Sequence, residues 1–573
     1  MKRRNLAVAF SFLVIMAMLL AACGKAPATT APAATTEAPA TAAPTEAVIT
    51  ADPNFQPMVV SAESCDYGGE FKSIEAVDEY TVKFTLCNPD PAFPSKVAFS
   101  VFAIQDKDYL DANSGDSVKM SEAPNGTGPY KVVSWNRGDS VVYIANEDYW
   151  GTKALTQNLI FRWSEQSAQR LLELQAGTVN GIDNPGPDDI PAIKSDSNLK
   201  FVERAGFNIF YIGFNNTIAP FDNLDVRKGI ALAIDRQRIV DQFYPAGSSV
   251  ANSFVPDFVL PGASPDVKWY DYDPEAAKAA LAAAGYDDAN PLEITLSFRV
   301  VDRAYLPSPD KVAQEIQAQL AEVGVKVTLK QMESAAFIDA TSAGQEGFYL
   351  LGWNADYPDA TNFYDYHFGN DANKQFGNLY PDMVAEIGAA AKLSDSAARQ
   401  AHYDMINQLL KDYVMMIPVA HGGSGVAYQA NVEGAHASPL GNELFSVMSN
   451  GTDTFVWMQN GEPASLWCSD ETDGETLRAC EQVYESLLAF EVGGTVVVPS
   501  LAESYTVNAD LTEYTFTLRK GVKFHNGAML DANDVVASFA AQWDAASPNH
   551  VGRTGTFEYF GAFFGAFLNA PAQ

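Results

Sequence analysis

Two residues of opposite charge, Arg303 and Asp356, stand where an α/β protein would present them to a ligand. Arg303 follows a segment that alternates in strand fashion, and Asp356 follows the apolar run Phe348 to Trp353, inside Gly-Trp-Asn-Ala-Asp. If the two strands run parallel in one sheet, both side chains lie at its carboxyl edge, where open α/β sheets bind ligands. The chemistry such a pair suits is capture of a zwitterion. A carboxylate takes an ammonium, and a planar guanidinium grips a carboxylate through two parallel bonds, a task Arg performs better than Lys. Each charge-assisted bond contributes about 1.5–3 kcal/mol, while micromolar affinity needs about 8 kcal/mol, so other contacts must add the rest. Trp353 and Tyr305 are the nearest aromatic candidates. The competing reading makes Arg303 and Asp356 ordinary loop charges or each other's partner, and Trp353 a core residue.

The elements that must position this pair are legible from periodicity. Ile294, Leu296 and Phe298 alternate with Glu293, Thr295, Ser297 and Arg299, the pattern of a half-buried strand. Val312, Ile316, Leu320 and Val323 then recur at helical spacing with Gly324 placed to stop the helix, and Val325, Val327 and Leu329 resume a period of two. This is a strand, helix, strand unit. Asp273-Pro274 opens an Ala-rich helix that stops at Gly285, and Asp225 opens another containing Val226, Ile230, Ala233 and Ile234. Further strand signals lie at Tyr80 to Leu86, Val141 to Ile144 and Tyr514 to Leu518. Mixed strands and helices over this length mean an α/β or α+β chain of several domains.

The beginning of the chain speaks of location. Lys2, Arg3 and Arg4 precede an apolar run from Leu6 to Leu20, closed by Leu20-Ala21-Ala22-Cys23-Gly24. That is a signal peptide (1–22) with a lipoprotein cleavage box, too short to span a bilayer comfortably, so the mature chain is expected to begin at a lipidated Cys23. From Ala26 to Ala47 every residue is Ala, Pro or Thr except Glu37 and Glu46, so 23–55 reads as a tether with no core to build. The product is an extracytoplasmic body held by lipid to the outer face of the cytoplasmic membrane, or periplasmic.

Charge and cysteines bound the rest. A formal charge of −34 makes nucleic acid an improbable partner, and the scattered acids read as a solvated surface. Besides Cys23, Cys65, Cys87, Cys468 and Cys480 remain in a compartment where disulfides survive. Three pairings are open; Cys65 with Cys87 and Cys468 with Cys480 are favoured by proximity in sequence, each bridge contributing about 3 kcal/mol. His367, His402, His421, His436, His525 and His550 show no HExxH or close pairing, and no metal or other cofactor is expected. No P-loop, GxSxG elbow or dinucleotide glycine fingerprint is present.

Several longer strings carry a resemblance. They are "NGEPASLW" (460–467), "VPSLAESYTVNADLTEYTFTLRKGVKFHNGAMLDANDVVASF" (498–539), "IEAVDEYTVKFTL" (74–86), "NGTGPYKVVSW" (125–135), "NEDYWGTK" (146–153), "YIGFNN" (211–216), "LDVRKGIALAIDR" (224–236) and "YDYDPEAAKAALAAAGY" (270–286). Together they resemble the family 5 extracytoplasmic solute-binding proteins of ABC importers, the peptide and nickel type, and the dipeptide-binding members most. One feature departs from the family. The blocks that ordinarily open the mature protein come last here, so the chain looks circularly permuted, with the usual last strand near Pro439 to Met448 joined through Ser449-Asn450-Gly451-Thr452 to the usual first, Thr454 to Met458. Asn-Gly is a strong turn dipeptide, which makes the join reasonable. A fused gene fragment is the rival account.

The resemblance implies an α/β, two-lobed periplasmic-binding-protein-like clamp of class II, cluster C type, with an accessory domain. Its expected parts are an accessory domain (56–125 plus 476–573), lobe I (126–205 plus 437–475) and lobe II (206–436). It implies a monomeric, non-enzymatic binding subunit that closes on a dipeptide or short oligopeptide and delivers it to an ABC permease. Asp356 would hold the peptide's ammonium and Arg303, in a string "RAYLPSP" like that of dipeptide binders, its carboxylate. Nickel chelates, haem, oligosaccharides and opines are the alternatives within the fold; a secreted hydrolase and a non-binding envelope protein are those outside it.

Overall fold

The computed structural model describes residues 53–571, apart from 115, 187, 301, 302 and 371. The expected signal peptide, Cys23 and the expected tether up to residue 52 therefore lie outside the described residues, and among the described residues no helix is long and apolar enough to cross a membrane.

Among the described residues three large sheets organise the chain, beside a two-stranded one of Leu488–Phe490 and Val497–Pro499. A five-stranded sheet runs, in spatial order, Val59–Ser61, Phe71–Asp78, Thr81–Leu86, Glu513–Leu518, Ala502–Val507. A seven-stranded sheet runs Tyr130–Asn136, Ser140–Ala145, Asn158–Trp163, Thr454–Gln459, Gly181–Asp183, Ser424–Gln429, Leu199–Arg204. A six-stranded sheet runs Ser249–Val250, Met416–His421, Asn208–Phe214, Phe348–Asn354, Glu293–Arg299, Lys326–Met332.

The last 120 residues complete sheets begun by the first 200. Thr454–Gln459 lies parallel to Asn158–Trp163 on one side and to Gly181–Asp183 on the other, with Phe455 and Trp457 fully buried. Glu513–Leu518 pairs antiparallel with Thr81–Leu86, sending Tyr514, Phe516 and Leu518 into the core that Val82, Phe84 and Leu86 also enter. The two ends of the described chain meet there. The Gly565 backbone bridges Gly69, and the Phe71 and Phe564 rings lie 4.7 Å apart. Cys65 and Cys87 are bonded in this same domain.

The six-stranded sheet shows why periodicity is informative. Along Asn208–Phe214, Phe210, Ile212 and Phe214 enter one core and Ile209 and Tyr211 the other, because successive side chains leave a strand on opposite faces. Glu293–Arg299 and Lys326–Met332 are parallel and joined by the helix Pro309–Glu322, after which Gly324 takes φ +83°, a conformation that favours glycine. Asp273 caps Pro274–Ala283 through its carboxylate.

Four expectations are corrected. The helix Leu224–Leu232 is capped by the Asn223 side chain, which accepts from the Asp225 amide, so Asp225 lies inside the first turn and does not open it. No strand forms over 439–448, whose only regular element is the short 3-10 helix Phe445–Val447. The turn at Asn450-Gly451 does form, with Gly451 at φ +80° and the Asn450 side chain accepting from the Thr452 amide. Lobe II does not extend to 436, because Ser424–Gln429 pairs with Leu199–Arg204 in the seven-stranded sheet. Cys468 and Cys480 are not bridged: they are buried free thiols in hydrogen-bonding contact, and burial raises both.

Candidate functional site

The chain passes between the six- and seven-stranded sheets at two adjacent crossings, Arg204 to Asn208 and His421 to Ser424. Asn208 ties them together. Its amide nitrogen donates to the Gly422 carbonyl at 2.7 Å, its side-chain oxygen accepts from the Gly422 amide at 2.8 Å, and its own carbonyl accepts from His421 Nδ1 at 2.6 Å. Burial pushes the His421 imidazole down, so it is a neutral donor there. Glycine is required where the crossings touch: a Cβ on Gly206 would sit 2.3 Å from the Gly422 carbonyl oxygen.

Both candidate loops grow from this hinge. In Phe348–Asn354 the last residue, Asn354, pairs with Asn208 itself, and the Ala355 amide donates to the Phe207 carbonyl, so Asp356 emerges two residues beyond the hinge register. Glu293–Arg299 runs parallel to Phe348–Asn354, with Ser297 opposite Tyr349, and ends at the same edge. The turn that follows, closed by reciprocal backbone bonds between Arg303 and Leu306, rests on the second crossing. A Cβ on Gly422 would meet the Ala304 carbonyl oxygen at 1.9 Å.

Asp356 is held by Asn362, from the helix Thr361–Phe368. The Asn362 side-chain oxygen accepts from the Asp356 amide at 3.1 Å and from Trp353 Nε1 at 3.0 Å, while its nitrogen donates to the Asp356 carboxylate at 3.3 Å. Burial pushes the Asp356 carboxyl up to about 6; the Asn362 bond opposes this and the charge of Glu558 adds to it. Trp353 stacks on Tyr366 with centroids 4.3 Å apart, and Tyr366 remains 49% exposed. An ionisable acid beside an open aromatic face is thus assembled from one strand end and one helix.

The four residues expected in the site do not share one fate. Trp353 and Asp356 come together through Asn362. Arg303 is exposed in the turn after the neighbouring strand. Tyr305 goes inward: it is 5% exposed, belongs to the lobe's core, packs its ring over Gly352, and its hydroxyl accepts from Arg299 at 3.1 Å. In this structure it packs in the core of the lobe.

The contact that the accessory domain makes beside this loop was not foreseen from the sequence. The helix Glu558–Phe564 of the accessory domain brings Phe563 to 5.0 Å from the ring of Tyr357, the neighbour of Asp356, and Lys96 Nζ lies 5.4 Å from the same ring centre. Lys96 is itself buried, paired with Asp90 at 2.7 Å. Tyr357 follows the quoted Gly-Trp-Asn-Ala-Asp stretch directly, but nothing local marks Asn362 or Asn208. Among the described residues no group of three or more His, Cys, Asp or Glu is placed to hold a metal ion.

Bacterial extracellular solute-binding proteins, family 5 (middle region), match residues 26–375 and 496–557. The chain belongs to this family. The dipeptide-binding protein of Pseudomonas aeruginosa is 31% identical over 386 residues, 66% of this chain and 71% of the relative. Among solved structures, HbpA2 from Haemophilus parasuis is 34% identical with a TM-score of 0.63, covering 66% of this chain and 75% of that one. A dipeptide-binding protein from Pseudoalteromonas sp. SM9913, in complex with Met-Leu, is 25% identical with a TM-score of 0.53 over the same shares. This family 5 protein therefore has the fold of a periplasmic-binding-protein clamp, and like its relatives it is a substrate-binding transport protein and not an enzyme.

Proposed function

We propose that this protein captures dipeptides or short oligopeptides between its lobes and hands them to an ABC permease. Asp356 holds the ligand's ammonium, Arg303 its carboxylate, and Trp353 with Tyr366 forms an aromatic wall. The observation that carries the reading is that the Asp356 and Arg303 loops both adjoin the Asn208–Gly422 hinge, one by strand register and one by packing. Groups beside a hinge move least as lobes close, so they grip one end of a ligand in the open form and keep it in the closed form. The similarity to dipeptide-binding relatives supports the same ligand class.

Cys23 carries the lipid that keeps the protein at the membrane, and the body acts as a monomer. Its parts are the accessory domain, lobe I with 424–429 included, and lobe II ending at the second crossing. The segment order is that of a circular permutation, supported by the two separate blocks of family similarity and by the insertion of Thr454–Gln459 between strands of the first half.

The test is thermal shift and calorimetry with a dipeptide library, N-acetylated dipeptides and peptide amides. A ligand at a hundred times its Kd adds about 2.7 kcal/mol to stability, a clear rise in Tm. Dipeptides should bind, N-acetylation and D356N should each weaken binding strongly, and amidation and R303A should each weaken it. A shift from a nickel chelate, haem or a sugar, with none from peptides, overturns the assignment.

A further inference from the structure

We propose that Tyr357 is the catch of this clamp: its ring seats in the core of the accessory domain when the lobes close, and that contact sets how long a ligand is held. The inference rests on the binding reading above and adds to it a positioning residue that touches no ligand.

Tyr357 belongs to lobe II by sequence, three residues past Asn354 and next to Asp356. Its ring leaves that lobe. Of the described residues in lobe II, Tyr357 alone joins the hydrophobic core that the accessory domain shares with lobe I, and it is 8% exposed. Two separate parts of the accessory domain form its socket. Phe563 meets the ring edge-on at 5.0 Å and is stacked on Phe99 at 5.6 Å, while Lys96 Nζ lies 5.4 Å from the ring centre. Lys96 pairs with Asp90 at 2.7 Å and donates to the Phe563 carbonyl at 3.1 Å, which ties the two sides of the socket together. An edge-to-face ring pair and a buried cation over a ring face both attract beyond the area they bury.

The same stretch serves the ligand site. The Tyr357 hydroxyl lies 3.2 Å from Thr361 Oγ1, and the next residue, Asn362, holds both Asp356 and Trp353. A pull on the ring is thus a pull on the loop that presents Asp356. The contact can also break. Asn354 pairs with Asn208 at the hinge, and three further residues reach at most about 10 Å, so Tyr357 rides on a short lever. A lobe rotation of a few tens of degrees carries a group at such a radius by about 5 Å, beyond the range of an aromatic contact. A contact made only in the closed form deepens that form, so it slows ligand escape, which needs opening, and leaves entry to the open form unchanged.

The experiment is stopped-flow binding of Ala-Ala and Met-Leu to wild type, Y357A, Y357F, F563A and Y357A/F563A, together with the distance between spin labels at M405C and V507C. Both label sites are exposed, one on the lobe II helix Ser396–Tyr413 and one on the accessory strand Ala502–Val507. The chain runs from residue 23 with C23S, so that the remaining native thiols are buried or bridged. Y357A and F563A should each raise koff about tenfold with kon within about twofold, and Y357F should behave as wild type. The double variant should be no worse than either single one, because both remove the same contact. In Y357A the short label distances should be depleted, with and without peptide. A Y357A that melts cooperatively and leaves koff unchanged, or whose loss of affinity falls on kon, overturns the catch, as does additivity of the two substitutions. If F563A does not fold, Y357A against Y357F decides. If neither dipeptide binds wild type, that result counts against the peptide reading alone, and the ligand-free label distances decide the catch: the same distribution in wild type and Y357A overturns it.

Discussion

Asn208 and Gly422 are joined by two hydrogen bonds, of 2.7 and 2.8 Å, between one side-chain amide and the backbone carbonyl and N–H of one residue. Each residue belongs to a different crossing between the two lobes, so this pair makes the crossings into one mechanical element. The same Gly422 backs the turn that carries Arg303, and the same Asn208 pairs with the strand that presents Asp356.

Gly422→Ala should therefore damage binding more than its size suggests. The new methyl meets the Ala304 carbonyl at 1.9 Å and must displace the Arg303 turn. Calorimetry should show peptide affinity falling by at least tenfold. N208A should cost about 1–3 kcal/mol of stability, because it leaves the buried Gly422 amide and carbonyl without their partner, as chemical denaturation would measure.

Asp356 should make function and stability respond to pH in opposite ways. Its carboxyl is pushed up to about 6, so its contribution to stability is present below the unfolded value, near 4, and is lost as pH rises through 6. At pH 7.5 the ionised group is a liability, and D356N should stabilise the empty protein by about 1–2 kcal/mol after allowance for solvent screening. Peptide affinity should instead fall as pH drops below 6, about tenfold for each further pH unit, and D356N should bind weakly at every pH. A titration series of Tm and Kd checks both signs.

Glu443 should be the costliest single carboxylate to remove. Wholly buried, it would be pushed up by burial, but Arg204 at 2.6 Å and Arg478 at 2.8 Å hold it below the ordinary range, and Asp183 completes the group at 2.9 and 3.1 Å. E443Q leaves two buried guanidinium groups facing one carboxylate and should cost about 3–5 kcal/mol. The contribution is present above the unfolded carboxyl value and lost as pH falls through the lower folded one, so the gap between wild type and E443Q in denaturant midpoints should close in strong acid.

Cys468 and Cys480 should behave as shielded thiols. In a form starting at Asn54, a thiol reagent should find no reactive group while the protein is folded and two after denaturation, since a buried thiol with a raised pKa offers almost no thiolate. C65S should lower stability by about 3 kcal/mol, the entropy of the loop that Cys65 and Cys87 close across 22 residues.

Local rules explain what was legible in the chain by itself. The strand Glu293–Arg299, the helix after it and the stop at Gly324 follow from which face of each element is apolar, and the Asp273 cap from a hydrogen bond spanning three residues. Asp356 and Arg303 stand just past strand ends that the pattern shows, but it was the resemblance to dipeptide-binding members that singled them out from other loop charges. Tertiary structure alone decided the rest. Tyr305 turned inward because Gly352, on another strand, leaves room for its ring, and Cys468 and Cys480 stand as neighbouring thiols although their spacing favoured a bridge. The ring that packs on Tyr357, the neighbour of Asp356, is Phe563, some 200 residues further on. Hydrophobic periodicity records which side of an element is buried and not against what, so such partners were set only when the C-terminal segment entered sheets that the first half had begun.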